Sequence, residues 1–327
     1  MASPKVSVVI PTYKRLGYLK HAVAGVRAQS FTDFEVIVSD NANEPEVKRF
    51  IESLGDARFS YHGQRINLGL FQNLNSAILK ARGEIIAFLE DDCRWPDKRF
   101  LEKMAEAYDR YPDCPLAICR NCEIIGSDGR GGYRRMAGFL PPFRNPFEDD
   151  AFFEDGPEGV KFVPKERMLS ALARRNVIWS PMATYSRKTL ERHGLFDPSA
   201  MMTGDWLHYL KLSLFCDFPV FDSTVEYMIH DASATTGLLG PENLNVNAAE
   251  FVSTHYKFSG FCKKSGRRDA AGRLAPAVSE RGVLLFVLNL RRGFSPKAAL
   301  FTAFMFLAFD PLRAAYRLVH DRYGRAF

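Results

Sequence analysis

Glu90, Asp91 and Asp92 stand side by side directly after the run Glu84-Ile85-Ile86-Ala87-Phe88-Leu89. Three adjacent carboxylates repel one another, and each resists ionisation unless positive charge sits among them. A divalent cation answers that need, because hard cations take carboxylate oxygens. The preceding run is apolar and β-prone and shows no alternation, so it reads as a fully buried strand. The carboxylates therefore fall at the C-terminal end of a strand, which in an open α/β sheet is where ligands bind. A solvated acidic loop capping the next helix is the plainer alternative.

The elements that must position this cluster follow from pattern. Residues 5–10 alternate and end at Pro11-Thr12-Tyr13, a strand with a chemically equipped mouth. Leu16, Leu19, Val23 and Val26 recur at helical spacing. A second strand over 34–39 ends at Asp40-Asn41-Ala42-Asn43, a helix covers 46–54, and a short strand covers 59–62. The next helix runs over 70–80, with Gly83 just past its end as a helix stop. Further helices are predicted over 97–108, 166–174 and 205–215, and strands over 116–125, 178–186 and 220–229. Strand and helix alternate, which implies a mostly parallel sheet with helices on both faces. The glycine- and proline-rich stretch 126–165 breaks the order and reads as a lid or binding loop.

The chain has 327 residues, 46% of them hydrophobic and 25% charged, which suits one large domain with an appendage. The boundary is expected near 235, with a catalytic unit over 1–235 and a helical, basic, partly apolar region over 236–327. The six cysteines lack a framework spacing, and Cys119-x-x-Cys122 has no second pair for zinc. Reduced, buried thiols and the lack of an apolar leader point to a cytoplasmic protein. Net charge is +6, unevenly spread: residues 257–327 hold 14 Lys and Arg against 4 Asp and Glu. A basic tail that also carries the apolar runs 283–290 and 298–309 suits an anionic membrane surface. Nucleic acid is the weaker partner, because such runs have no task there. Packing on the catalytic unit or a homodimer interface would also use them. The 12 residues of 298–309 are too few to span a bilayer.

The ordered set of motifs resembles family 2 glycosyltransferases. The opening Val6-Ser7-Val8-Val9-Ile10-Pro11-Thr12-Tyr13 is followed by Val38-Ser39-Asp40-Asn41-Ala42-Asn43, Asn67-Leu68-Gly69, Arg82-Gly83-Glu84 and Glu90-Asp91-Asp92. Gly194-Leu195-Phe196-Asp197, Gly204-Asp205-Trp206 and His230 match the second half, so the resemblance covers roughly residues 5–235. It implies a GT-A fold, a nucleotide-diphosphate sugar donor with UDP favoured, Mn²⁺ or Mg²⁺, and inversion at the anomeric carbon. Carried over, Tyr13 and Asp40 would hold the base, with Pro11, Thr12, Asn67 and Arg82 also on the donor. Asp91 would touch ribose or metal, Asp92 would ligate the metal, and His230 would add a metal or phosphate contact. The acceptor would be a glycan or lipid-linked hydroxyl, in cell-surface polysaccharide assembly.

Inverting transfer is a single displacement at C1. The leaving diphosphate gains negative charge, which a Lewis acid stabilises, and the acceptor hydroxyl must lose its proton to a carboxylate on the opposite face. Asp205 is the expected base, because it opens a helix just after Gly204, and Trp206 beside it is placed to pack on a sugar ring. Capping of that helix is the competing role for Asp205. A sugar-nucleotidyltransferase would need a glycine-rich loop after the first strand, and Pro11-Thr12-Tyr13-Lys14-Arg15 has no glycine. A dinucleotide-binding enzyme fails for want of G-x-G-x-x-G there. A non-enzymatic membrane-binding scaffold would leave the acidic triplet unexplained.

Overall fold

The computed structural model describes residues 3–127, 133–135, 146–156, 159–230 and 244–270. The apolar runs 283–290 and 298–309, and most of the basic tail, lie outside the described residues.

The N-terminal half alternates strand and helix: β1 (Val6–Thr12), α1 (Leu16–Arg27), β2 (Phe34–Asp40), α2 (Pro45–Ser53), β3 (Phe59–Gly63), α3 (Leu70–Ile78) and β4 (Ile85–Phe88). These four strands pair in parallel in the order β3-β2-β1-β4. Every residue of β1 and β2 is buried, so both faces of the sheet are covered. That includes Ser7, which the apparent alternation of 5–10 would place in solvent. Its hydroxyl donates to Glu35 at 2.7 Å and accepts from the Gly83 backbone N–H at 2.7 Å. Gly83 is thus no helix stop, since α3 ends at Ile78. A β-carbon there would sit 2.5 Å from the Ser7 nitrogen, so glycine is what lets this loop lie against β1.

The second half comprises β5 (Cys93–Arg94), α4 (Phe100–Arg110), β6 (Leu116–Ser127), β7 (Tyr133–Arg135), β8 (Glu154–Asp155), β9 (Lys161–Val163), α5 (Lys165–Arg174), β10 (Ala183–Ser186), α6 (Arg187–His193), α7 (Gly204–Leu212), β11 (Phe218–Ile229) and α8 (Leu244–Lys264). The sheet continues β4-β10-β6-β11-β9-β8. β10 is antiparallel to both neighbours, and β6 and β11 are parallel to each other. Six strands (β1, β2, β3, β4, β6 and β11) therefore run the same way, with β10 inserted against them.

Part of the stretch expected to form a lid extends the sheet instead. β9 pairs with β11 and β8 with β9. Phe147, Phe152 and Phe153 contact one another ring to ring, and Phe147 and Phe153 are buried. Apolar anchors of this size outweigh the local turn signals, because each aromatic buries a large area.

α8 belongs to the packed body. It contacts α7, and Phe258 and Cys262 are buried against the core. All cysteines among the described residues are unpaired, Cys119 and Cys122 included.

Candidate active site

Three chain ends converge at one edge of the sheet: the exits of β1 and β4 and the start of α7. Between β1 and α1 the chain turns through Lys14, whose φ of 56° lies in the left-handed region that a non-glycine residue seldom adopts. The turn brings Arg15 onto the carboxylates. Its Nε donates to Asp91 Oδ2 at 3.1 Å, its Nη2 forms an ion pair with Asp91 Oδ1 at 2.7 Å, and its Nη1 donates to Asp92 Oδ2 at 2.9 Å. Asp91 also accepts from the Thr12 hydroxyl at 2.6 Å. His230, at the end of β11, stacks on Tyr18 with centroids 3.9 Å apart and places Nε2 3.3 Å from Asp92 Oδ2.

The cluster is short of positive charge. Burial, with the Asp92 and Asp205 charges adding to it, raises the Glu90 carboxyl to about 8. Burial also raises Asp91 to about 7, even though Arg15 opposes the shift. Ligand atoms of Glu90, Asp92 and Cys93 lie within 4.8 Å of one another. The Cys93 thiol is pushed well above its ordinary value by burial and by Asp92, so it stays protonated and offers no thiolate. Two carboxylates with an imidazole beside them form the donor set of a hard divalent cation such as Mn²⁺ or Mg²⁺ rather than of a soft metal. The residues fit such an ion.

Opposite this cluster, Asp205 lies in the first turn of α7. Its Oδ1 accepts from the Trp206 backbone N–H at 2.7 Å and its Oδ2 from Asn176 Nδ2 at 3.2 Å. Burial raises its carboxyl to about 7, partly countered by those two donors. A carboxylate held near neutrality suits a general base.

One cavity of about 580 Å³ joins the two groups. Pro11, Thr12, Tyr13, Asn67, Asp92 and Asp205 line it, together with Arg15, Glu90, Asn41 and Trp179. Asn41 ties the Asn67 loop to the end of β2: its amide donates to Asn67 Oδ1 at 2.8 Å and its oxygen accepts from the Leu68 N–H at 2.8 Å.

Other expected residues stand elsewhere. Asp40 is buried beneath the β2 exit, where it accepts from the Ala42 and Glu44 N–H groups at 2.9 and 2.6 Å and from the Tyr61 hydroxyl at 3.0 Å. Asp91 is fully buried behind Arg15. Arg82 does not line the cavity and instead pairs with Glu35 at 2.7 Å. Trp206 does not reach the cavity either: it is buried, and its Nε1 donates to the Leu172 carbonyl at 2.8 Å. The indole at the cavity wall is Trp179, tilted against Tyr227 at 5.1 Å between centroids.

Arg15, Asn41, Asn176 and Trp179 were missed from sequence. Two signals were available: Arg15 is a cation directly after the β1 mouth, and Asn41 lies within the motif that follows the second strand.

Beyond Asp205, α8 holds the loop before α7. Glu250 accepts from the Met201 and Met202 N–H groups, both at 3.3 Å, and from the Thr203 hydroxyl at 2.9 Å. Lys257 pairs with Asp197 at 2.8 Å. Burial would raise the Asp197 carboxyl, but Lys257 and two donors from Ser199 outweigh it and hold it at about 2.

A mixed α/β sheet covered by helices, with its cavity at the ends of parallel strands, is the GT-A fold. The chain belongs to glycosyl transferase family 2, whose family model matches residues 7–192, more than half of its length. It is similar to a GalNAc(5)-diNAcBac-PP-undecaprenol beta-1,3-glucosyltransferase of Campylobacter jejuni, 36% identical over 92 residues, which are 27% of this chain and 30% of that protein. An uncharacterized glycosyltransferase of Rickettsia typhi is 24% identical over 272 residues, 82% of this chain and 74% of that one. The chain thus spans under a third of the Campylobacter relative and about three quarters of the Rickettsia one. Among solved structures, TarS 1-349 of S. aureus in complex with UDP superposes with a TM-score of 0.52 at 20% identity, covering 85% of this chain and 82% of that one. The mannosyltransferase PcManGT of Pyrobaculum calidifontis in complex with GDP-Man and Mn²⁺ does so at 0.50 and 16% identity, covering 98% and 88%. At these identities the likeness speaks to fold alone.

No helix among the described residues is long and apolar enough to cross a membrane.

Proposed function

We propose that the chain transfers a sugar from a nucleotide-diphosphate sugar to an acceptor hydroxyl by a single inverting displacement, with a divalent cation on the donor side. The observation that carries this reading is the cavity itself, which puts Asp92 and Asp205 in one enclosure with the β1 mouth. Tyr13 and the Asn67 loop flank the position of the nucleoside, and Asp92, Glu90 and His230 would hold Mn²⁺ or Mg²⁺. That ion, when bound, neutralises charge on the leaving diphosphate as a Lewis acid. Asp205 accepts the proton of the acceptor hydroxyl, and Asn176 with the Trp206 N–H orients its carboxylate. Trp179 offers the aromatic face for an acceptor ring.

A UDP-sugar is the favoured donor, and a glycan or lipid-linked acceptor in polysaccharide assembly the favoured partner. The relative acting on an undecaprenol-linked glycan, and the UDP-bound and UDP-GlcNAc-bound structural neighbours, support this. The +10 charge of residues 257–327 supports docking on an anionic membrane face where such an acceptor is presented. We retain the boundary near 235 only for the catalytic motifs, because α8 packs on α7.

The test is release and transfer of radiolabelled sugar from a donor panel, with and without chelator. Turnover of one donor that is lost with EDTA and restored by Mn²⁺ supports the reading, and turnover indifferent to EDTA rejects the metal. For the membrane, flotation of the full chain on anionic liposomes is compared with a chain ending at Ala270. Equal flotation at low salt rejects a role for the tail.

A further inference from the structure

Among the described residues Arg15 is the one cation in the cavity lining, and the chemistry above leaves it without a task. Its contacts to the two aspartates are unlike. On Asp91 it spans both oxygens, Nε donating to Oδ2 at 3.1 Å and Nη2 ion-paired with Oδ1 at 2.7 Å. Two guanidinium nitrogens on one buried carboxylate fix the orientation of Arg15 more firmly than a single contact does. Asp91 is fully buried and does not line the cavity, and its other contact is the Thr12 hydroxyl. Its carboxylate is therefore occupied in holding Arg15. On Asp92 the guanidinium makes a single contact, Nη1 to Oδ2 at 2.9 Å. That same oxygen stands 3.3 Å from His230 Nε2. A cation shared by Asp92 and His230 would need the oxygen that Nη1 now uses, and its charge would repel an N–H aimed there. Glu90, Asp91 and Asp92 set against Arg15 leave two negative charges uncompensated when all are ionised, which is the charge of one divalent ion.

We propose that Arg15 is a diphosphate-binding residue anchored by Asp91, and that its contact to Asp92 is a placeholder which the incoming metal displaces. The two contacts to Asp91 stay. Nη1, released from Asp92, then donates into the cavity to an oxygen of the nucleoside diphosphate. Metal alone is opposed by Arg15, whereas metal with diphosphate gives the freed N–H an acceptor, so the two ligands bind cooperatively. Asp91 becomes a positioning residue rather than a donor contact. The inference rests on reading the cavity as a nucleotide-sugar site.

The full chain, Arg15→Met and Arg15→Lys are compared by calorimetry with UDP in Mn²⁺, by spin-resonance titration of Mn²⁺ without nucleotide, and by uridine titration. Loss of one charge-assisted contact should weaken UDP about ten-fold or more in Arg15→Met, with Mn²⁺ alone bound more tightly and uridine nearly unchanged. Arg15→Lys should fall between, keeping the charge without the two-nitrogen contact. Asp91→Asn loosens the anchor without touching Arg15 and should weaken UDP in the same direction, which keeps the test open if Arg15→Met does not fold. Unchanged UDP affinity in both Arg15→Met and Asp91→Asn overturns the inference. So does uridine affinity falling as far as that of UDP, or Mn²⁺ alone binding more weakly in Arg15→Met. A wild type that binds neither UDP nor GDP with Mn²⁺ rejects the donor-site reading itself. A wild type that binds UDP while the variants bind it equally well rejects only the role of Arg15.

Discussion

The two walls of the cavity are built differently. The β1–β4 wall comes from consecutive βα units, and parallel strand pairing brings its polar groups together at the strand ends: Asp40 is held by the next turn, Asn41 by the Asn67 loop, Asp91 by Thr12 and Arg15. The α7 wall is assembled from helices and loops that no strand pairing aligns. Asp205 leans on Asn176, Trp206 on Leu172, and the 201–203 loop on Glu250 of α8. The first wall would suit a ligand of constant shape, as the proposed metal with a nucleoside diphosphate is. The second can change its lining by changing a loop or a helix, which suits whatever acceptor the enzyme serves. On the proposed function, the donor would be held by strand ends and the acceptor by contacts between helices and loops.

That division can be broken experimentally, and the largest effect is expected on the first wall. Asp92→Asn removes a charged ligand and should abolish transfer at any Mn²⁺ concentration, measured as initial rate. Its melting temperature should hold or rise, since one of three crowded carboxylates is gone.

On the second wall, Asp205→Asn should lower kcat by about 10²- to 10⁴-fold and leave the UDP dissociation constant nearly unchanged. A matching loss of UDP affinity would show that the two walls are not separate. The wild-type rate should fall as pH drops through about 7, where Asp205 takes up its proton. The same group governs stability. Its folded value lies above its unfolded one, so the folded state binds more protons between the two, and stability falls as pH rises through that window. Asp205→Asn should therefore melt higher than wild type at pH 8, by on the order of 2–4 kcal/mol of stability, and the gap should close near pH 4.

Trp179→Ala should raise the acceptor KM by about ten-fold with little change in UDP binding, whereas Trp206→Phe should cost stability and not acceptor affinity. A rise in acceptor KM from Trp206→Phe alone would return that role to Trp206. The smallest effect belongs to Glu250→Gln, expected to cost about 1 kcal/mol of stability through its contacts to 201–203, read as a lowered melting temperature. A UDP affinity that falls with it would place α8 on the donor side as well.

The primary structure determined the strands of the first half and the carboxylates at their end. Runs such as Ile85-Ile86-Ala87-Phe88 are buried whatever surrounds them, and adjacent carboxylates announce their need for a cation. It also carried the family, because the motifs recur in order along the chain. Tertiary structure decided which cation already waits there, since Arg15 meets Asp91 and Asp92 across a separation of more than 70 residues that no local pattern encodes. It decided that part of the glycine- and proline-rich stretch adds edge strands, because buried phenylalanines override turn signals. It decided between the tryptophans as well. Every residue of α7 but Lys211 is buried, so the helix shows no face by which sequence could tell a side chain aimed at the cavity from one aimed at the core. Asp205 falls on the cavity side and Trp206 on the other, because α5 supplies the Leu172 carbonyl to the indole and Asn176, just beyond it, turns back toward the carboxylate.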